Sequence, residues 1–187
     1  KKREHIADLI KTHALAHEDC AVIEKYLTSP CDSIDTKATV INAAVANGMD
    51  VSLEFVVRNI LPVAGNENTL SILDAYCSKK LVDDDVFRIL NFACACKDSK
   101  TAVGALDCLK RGNQYVLVPS KTVIAMLSER DLTASDKISI LDKLFEFKVE
   151  AKSVEAVMTN YLCFNQDPVA TRKEVILYLL DKSPQLP

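Results

Sequence analysis

Apolar residues recur three and four positions apart along most of this chain, and short polar clusters interrupt them at regular intervals. That spacing marks amphipathic helices, since a half-buried strand would alternate every second residue. A first helix is predicted from Lys2 to His13, with Ile6, Leu9, Ile10 and His13 on one stripe. A second runs from Glu18 to Leu27 and ends at Thr28-Ser29-Pro30, because proline disfavours a helical residue before it. Asp35 is read as the N-cap of a helix over 36–47, closed by Asn47-Gly48 in the left-handed manner. Ser52 caps a helix carrying Phe55, Val56, Ile60 and Leu61, with a kink at Pro62 and a stop at Gly65.

Asn68 or Thr69 opens the helix of Leu70, Leu73 and Cys77. Asp83-Asp84-Asp85 places negative charge at the positive end of the next helix dipole. Val86 to Cys96 is apolar nearly all round, which predicts a central, heavily covered helix. Ser99 begins a helix through Leu106 and Leu109 that Arg111-Gly112 ends. Tyr115 to Val118 is read as a packed loop, since no partner strand is evident. Helices then follow over 120–129, 135–148 with Ser135 as cap, 153–164, and 168–182 with Pro168 in its first turn.

One set of helices begins near residues 36, 69, 100, 136 and 169, and the set between them near 52, 85, 120 and 153. Ile72-Leu73-Asp74 returns as Ala105-Leu106-Asp107 and again as Ile140-Leu141-Asp142, after steps of thirty-three and thirty-five residues. A two-helix unit with a period of about 34 residues predicts an all-α fold, an α-solenoid of antiparallel helix pairs in which each unit buries its apolar face on its neighbours. No low-complexity stretch interrupts it, so residues 1–187 read as a single helical-repeat array. The start on Lys1-Lys2-Arg3 without a methionine suggests a piece of a longer protein.

Composition narrows the function. With 49% hydrophobic and 26% charged residues the chain has ordinary globular balance. No apolar run approaches the ~20 residues that cross a bilayer, so no membrane partner is expected. A net charge of −3 gives no global pull toward nucleic acid, which is usually met by a basic face. Seven cysteines, an odd count set mostly at apolar helical positions, read as reduced core thiols of an intracellular reducing compartment: cytoplasm, nucleus or mitochondrion.

The period is shared by tetratricopeptide and pentatricopeptide repeats. The tetratricopeptide pattern wants a tryptophan, and this chain has none. Val86-Phe87-Arg88-Ile89-Leu90-Asn91-Phe92-Ala93 resembles the first helix of a pentatricopeptide repeat, and Thr101-Ala102-Val103-Gly104-Ala105-Leu106 its second. The cadence extends through Leu53 to Leu73 and Val154 to Leu180. This resemblance implies single-stranded RNA binding, one base per repeat, read by a polar residue early in the first helix and another at the repeat's end. The chain departs from that pattern. If Leu53 and Phe87 take the aromatic position, Phe55 and Ile89 stand where the base-reading residue belongs, and sliding the frame offers Val57 instead. Asp84 does lie near a repeat end, where the family often has Asp or Asn.

Other constellations are weaker. His13, His17 and Cys20 share a helix face at a spacing zinc could use, with Cys31 further along, but no close cysteine pair anchors them. Cys94 and Cys96 point about 200° apart on a helix and cannot share a ligand. Asp83–Asp85 lacks the glycine and later glutamate of a calcium loop. All three histidines precede residue 18, and no phosphate loop or nucleophile motif is present, so no enzymatic activity, metal or cofactor is expected. The remaining candidate is a surface. Arg58 and Asn91 hold equivalent places thirty-three residues apart, and Arg88 and Lys121 extend them into a polar stripe suited to a peptide or an RNA backbone. The sequence therefore predicts a non-enzymatic helical-repeat scaffold binding a protein partner in a multi-subunit assembly. The alternative is single-stranded RNA binding by a degenerate pentatricopeptide array, with an organellar role in RNA metabolism.

Overall fold

Helix formation dominates because the chain is rich in good helix formers, and Ser33, Ser52, Asp98 and Thr133 open four of the helices with side-chain caps. A computed structural model describes residues 20–30, 32–114, 116–149 and 153–182. The predicted helix over Lys2 to His13 lies outside these residues. The fold is all-α. Among the described residues the α-helices are α1 (Cys20–Thr28), α2 (Ile34–Ala46), α3 (Leu53–Asn59), α4 (Gly65–Cys77), α5 (Asp83–Ala95), α6 (Ser99–Arg111), α7 (Ser120–Leu127), α8 (Ala134–Leu144), α9 (Ser153–Phe164) and α10 (Val169–Lys182). The chain divides into two compact units, Lys1–Arg88 and Ile89–Pro187, with the division inside α5.

In the first unit α4 packs along α2. Val40, Ile41, Ala44 and Val45 of α2 and Ile72, Leu73 and Cys77 of α4 are buried. Full burial stabilises each large aliphatic side chain by roughly 1.5–3 kcal/mol. Tyr76 is buried with them, and its hydroxyl donates to the Val51 carbonyl at 2.8 Å. Burial is the main cause holding the Tyr76 phenol protonated well above its ordinary range.

Several helix ends differ from expectation in an instructive way. The N-cap of α2 is Ser33, whose Oγ accepts from the Thr36 amide, while Asp35 lies in the first turn, where it still complements the dipole. Gly48, at φ 77°, closes α2 as predicted, and Ser52 caps α3. Pro62 does not kink a continuous helix. α3 ends at Asn59, Leu61–Val63 form a 3-10 turn, and Gly65 opens α4 at φ 68° instead of stopping a helix. Only glycine reaches that left-handed conformation at little cost. α5 proves amphipathic, with Val86, Ile89, Leu90, Ala93 and Cys94 buried while Asn91 and Ala95 are exposed.

In the second unit the packing repeats at every second helix: α8 lies on α6, α9 on α7, and α10 on α8. Ala102, Ala105, Leu106 and Leu109 of α6 and Ile140, Leu141 and Leu144 of α8 form the buried seam. Asn113, at φ 50°, takes the left-handed position after α6, next to the Gly112 expected there. Asn tolerates that region better than most residues. α8 is capped by Thr133, not Ser135: the Thr133 hydroxyl and the Asp136 carboxylate each accept the other residue's amide, a complete capping box. The predicted loop at Tyr115–Val118 contains a two-residue strand, β1 (Leu117–Val118), paired in parallel with β2 (Lys148–Val149). The partner lay thirty-one residues downstream, too short a segment to show any alternation.

Candidate functional site

Arg58 and Arg88 converge on one carboxylate. Glu54 stands one helical turn before Arg58 and thirty-four residues before Arg88, and its two oxygens meet the two guanidinium groups at 3.5 and 2.9 Å. Arg88 is held further by Asp85 at 3.2 Å. Both arginines belong to the first unit. In the second unit, Asn91 is exposed and its side-chain oxygen accepts from the Thr122 hydroxyl at 3.4 Å. Lys121, the neighbour of Thr122, is exposed on α7. Arg58, Asn91 and Lys121 are thus exposed and Arg88 is part-buried, and the sequence reading overlooked Glu54. Its signal was present: an acid one period before Arg88 and one turn before Arg58.

Such contacts across one period recur through both units. In the first, the Asn68 amide donates to Asp35 and the Asn42 amide to Ser71, both at 2.7 Å, and the Lys79 ammonium reaches the Val45 carbonyl. In the second, Lys97 pairs with Asp131 at 2.6 Å, Lys143 with Asp107 at 3.0 Å, and Lys110 with Glu146. The Ser99 hydroxyl donates to Asp136 and the Tyr178 hydroxyl to Asp142, each at 2.5 Å. These bonds leave marks on acidity. Ser99 and then Thr133 hold the Asp136 carboxyl below its usual range. Lys110 does the same for Glu146, and Asp107 followed by Glu146 raises the Lys143 ammonium. Exposed pairs of this kind contribute little singly. Their consistent period matters more, because it fixes which helix lies beside which.

One of these contacts is buried. Lys137 is fully inaccessible, and its ammonium donates to the Leu127 carbonyl at 2.7 Å and to the Asp167 carboxylate. The same Asp167 oxygen accepts from the Tyr161 hydroxyl at 2.5 Å, and the Tyr161 ring lies 5.7 Å from the ammonium. Asn165 adds a bond to the Leu127 carbonyl at 3.0 Å and accepts from the Asp167 amide at 2.7 Å. The group ties α7, α8 and α9 to the turn before α10. Nothing in the plain sequence flagged Lys137, since lysine reads as solvated. Its place in the repeat did: it stands thirty-five residues after the buried Ala102. Burial, with help from Asp167, keeps the Tyr161 hydroxyl protonated far above its ordinary range. A shallow polar cleft of about 200 Å³, lined by Ser128, Arg130, Asn165, Gln166 and Asp167, opens beside this network. The Arg130 guanidinium is bonded to Gln166 there, and the Asp167 carboxylate already serves Lys137 and Tyr161. The Ser128 hydroxyl likewise donates to the Ile124 carbonyl at 2.8 Å, so the polar groups of the cleft are tied to their own neighbours.

Cys94 and Cys96 have thiols pushed up to about 12, mainly by burial, so neither supplies a thiolate at neutral pH. Cys94, Cys96 and Cys163 are free thiols. The metal constellation of His13, His17, Cys20 and Cys31 lies outside the described residues except for Cys20, which begins α1. Among the described residues, no three His, Cys, Asp or Glu side chains group closely enough to hold a metal, and no helix is long and apolar enough to cross a membrane. Comparison with protein-family models, curated proteins and solved structures finds no match to this chain.

Proposed function

We propose that this chain is a non-enzymatic scaffold on the α-solenoid plan, built of helix pairs that recur about every 34 residues, and that it binds protein partners within a larger assembly. The observation that carries this reading is the packing of α4 on α2, α8 on α6, α9 on α7 and α10 on α8, riveted by side chains one period apart. That arrangement is what a pentatricopeptide-like or tetratricopeptide-like array requires of its neighbours. The free thiols of Cys94, Cys96 and Cys163 suit a reducing intracellular compartment.

Protein is favoured over RNA by what surrounds the arginines. Glu54 and Asp85 neutralise Arg58 and Arg88, and a phosphate would have to displace both acids. The test is a titration of the full chain against a pool of fluorescent single-stranded RNAs at two salt concentrations, beside an Arg58→Ala/Arg88→Ala/Lys121→Ala variant. The scaffold reading expects no binding up to high micromolar concentration while the helical spectrum stays intact. Micromolar binding that weakens with salt, and again in the triple variant, replaces it with the RNA reading.

A further inference from the structure

α7 and α9 pack on one another within the second unit and carry the same register of side chains thirty-four residues apart. Val123 and Leu127 of α7 are buried, and so are Val157 and Tyr161 at the matching places of α9. On the opposite side Lys121 is exposed, as is its equivalent Glu155. Ile124 and its equivalent Met158 are half-buried one turn further along, and Leu162 is 52% exposed a turn beyond Met158. A helix following α10 in the same array packs on α9, as α9 does on α7, and so lengthens this face without covering it.

The two charges on this face behave unlike others of the unit. One period apart, Lys97 meets Asp131 at 2.6 Å, Lys143 meets Asp107 at 3.0 Å, and Lys110 meets Glu146. Lys121 and Glu155 are also one period apart, on packed helices and opposite in sign. Among the described residues neither meets the other or any further charged or hydrogen-bonding side chain. A cation and an anion are thus held open side by side, with an apolar pair beneath them. That is a two-point charge pattern with a fixed spacing.

The spacing selects the conformation of the occupant. Packed helices lie about 8–10 Å apart, which sets the distance between equivalent places on α7 and α9. A segment crossing them must return the same side of its backbone over that distance. A strand does so every ~6.6 Å and an α-helix every ~5.4 Å. A polyproline-II segment does so every ~9.3 Å, with three residues to its turn. We infer that the exposed face of α7 and α9 docks a polyproline-II segment of a partner protein in which an acidic and a basic side chain stand three residues apart. The acid meets Lys121 and the base meets Glu155. The apolar residue after each of them lies over Ile124 or Met158, and the second reaches Leu162. An RNA strand is a poor occupant, because Glu155 repels the phosphate that Lys121 attracts. This deepens the scaffold reading and rests on it.

The probe is a labelled peptide, Pro-Glu-Leu-Pro-Arg-Leu-Pro, titrated by fluorescence anisotropy against the full chain. Saturable micromolar binding is expected. Glu155→Lys should weaken it severalfold, one exposed pair having become a repulsion. A second peptide with glutamate at both charged places should bind the Glu155→Lys chain as tightly as the first binds the parent. Three results overturn the proposal. One is no binding to high micromolar concentration. Another is binding that Glu155→Lys leaves unchanged. The third is equal binding of a peptide whose acid and base stand two residues apart, which shows that the spacing is not read. If the peptide fails while the RNA titration is also negative, this seat is discarded and the scaffold reading stands, so the two fail separately.

Discussion

α8 and α10 bury the same inner positions and differ in the side chains at their margins. On α8 the stripe of Ile140, Leu141 and Leu144 is sealed, Lys137 has two acceptors, and Asp142 is engaged by Tyr178 and Lys182. On α10 the equivalents Val175 and Leu179 are sealed too, but Ile176 is half-buried, Leu177 stands exposed in the place of Asp142, and Arg172 donates to the Leu162 carbonyl at 3.4 Å. The difference shows what a helix gains in this fold. The helices it packs on bury its inner residues, and the helix one period later adds cover at single places: Leu141 is sealed where Ile176 is half-buried, and Asp167 ahead of α10 completes Lys137. Stability is thus shared between neighbours, as expected where each unit contacts chiefly the next.

The largest effect should come from breaking the completed cation. Asp167→Ala leaves Lys137 charged and buried without its carboxylate, and an uncompensated charge of this kind costs about 3–5 kcal/mol. Denaturant unfolding of the full chain reads it. Adding Lys137→Met to Asp167→Ala should recover a substantial part, since the equivalent site in α6 is content with Ala102. If the double variant is as unstable as the single, the network is not organised around the charge.

A somewhat smaller contrast separates the two stripes. Leu141→Ala should lose about 2–5 kcal/mol, the range for a truncated core leucine, while Leu177→Ala should stay within about 0.5 kcal/mol of the parent. Equal losses at the two places would erase the distinction between α8 and α10. Removing the α8 cap by Thr133→Ala should cost about 1 kcal/mol, because it frees an amide and unseats Asp136.

The smallest effect is pH-dependent. Ser99 and Thr133 depress the Asp136 carboxyl, and Lys110 depresses that of Glu146. Each contributes stability that is fully present above the ordinary carboxylate range, where both states are ionised. That contribution is lost as pH falls through the lower, folded-state value. Thermal melts from neutral toward acid pH should therefore show a slow decline beginning near the usual carboxyl range. Ser99→Ala together with Lys110→Ala should flatten that decline. An unchanged slope would mean these bonds are not made in solution.

Much of this was legible in the sequence, and the remainder has physical reasons for its silence. The 3.6-residue period and the return of Leu73, Leu106 and Leu141 announced the helices and their spacing. Ser52 and Gly48 marked helix ends correctly because their chemistry acts on residues beside them. Ser33 and Thr133 were missed in favour of Asp35 and Ser135, since several capping residues stand together and only backbone geometry selects among them. β1 and β2 pair over two residues each, and no periodicity can show in so short a run. Arg58, Arg88, Asn91 and Lys121 were found on the surface, yet Glu54 and Thr122, which decide what three of them can do, only become neighbours one period away. Lys137 could have been recognised from the repeat register, as the equivalent of Ala102, but not from its own chemistry.

The most direct measurement is hydroxyl-radical footprinting of the intact chain, read at individual leucines. The account predicts that Leu177 and Leu180 oxidise readily while Leu141 and Leu144 stay protected. Equal protection at all four would contradict it, because Leu177 and Leu180 would then be covered like the buried leucines of α8.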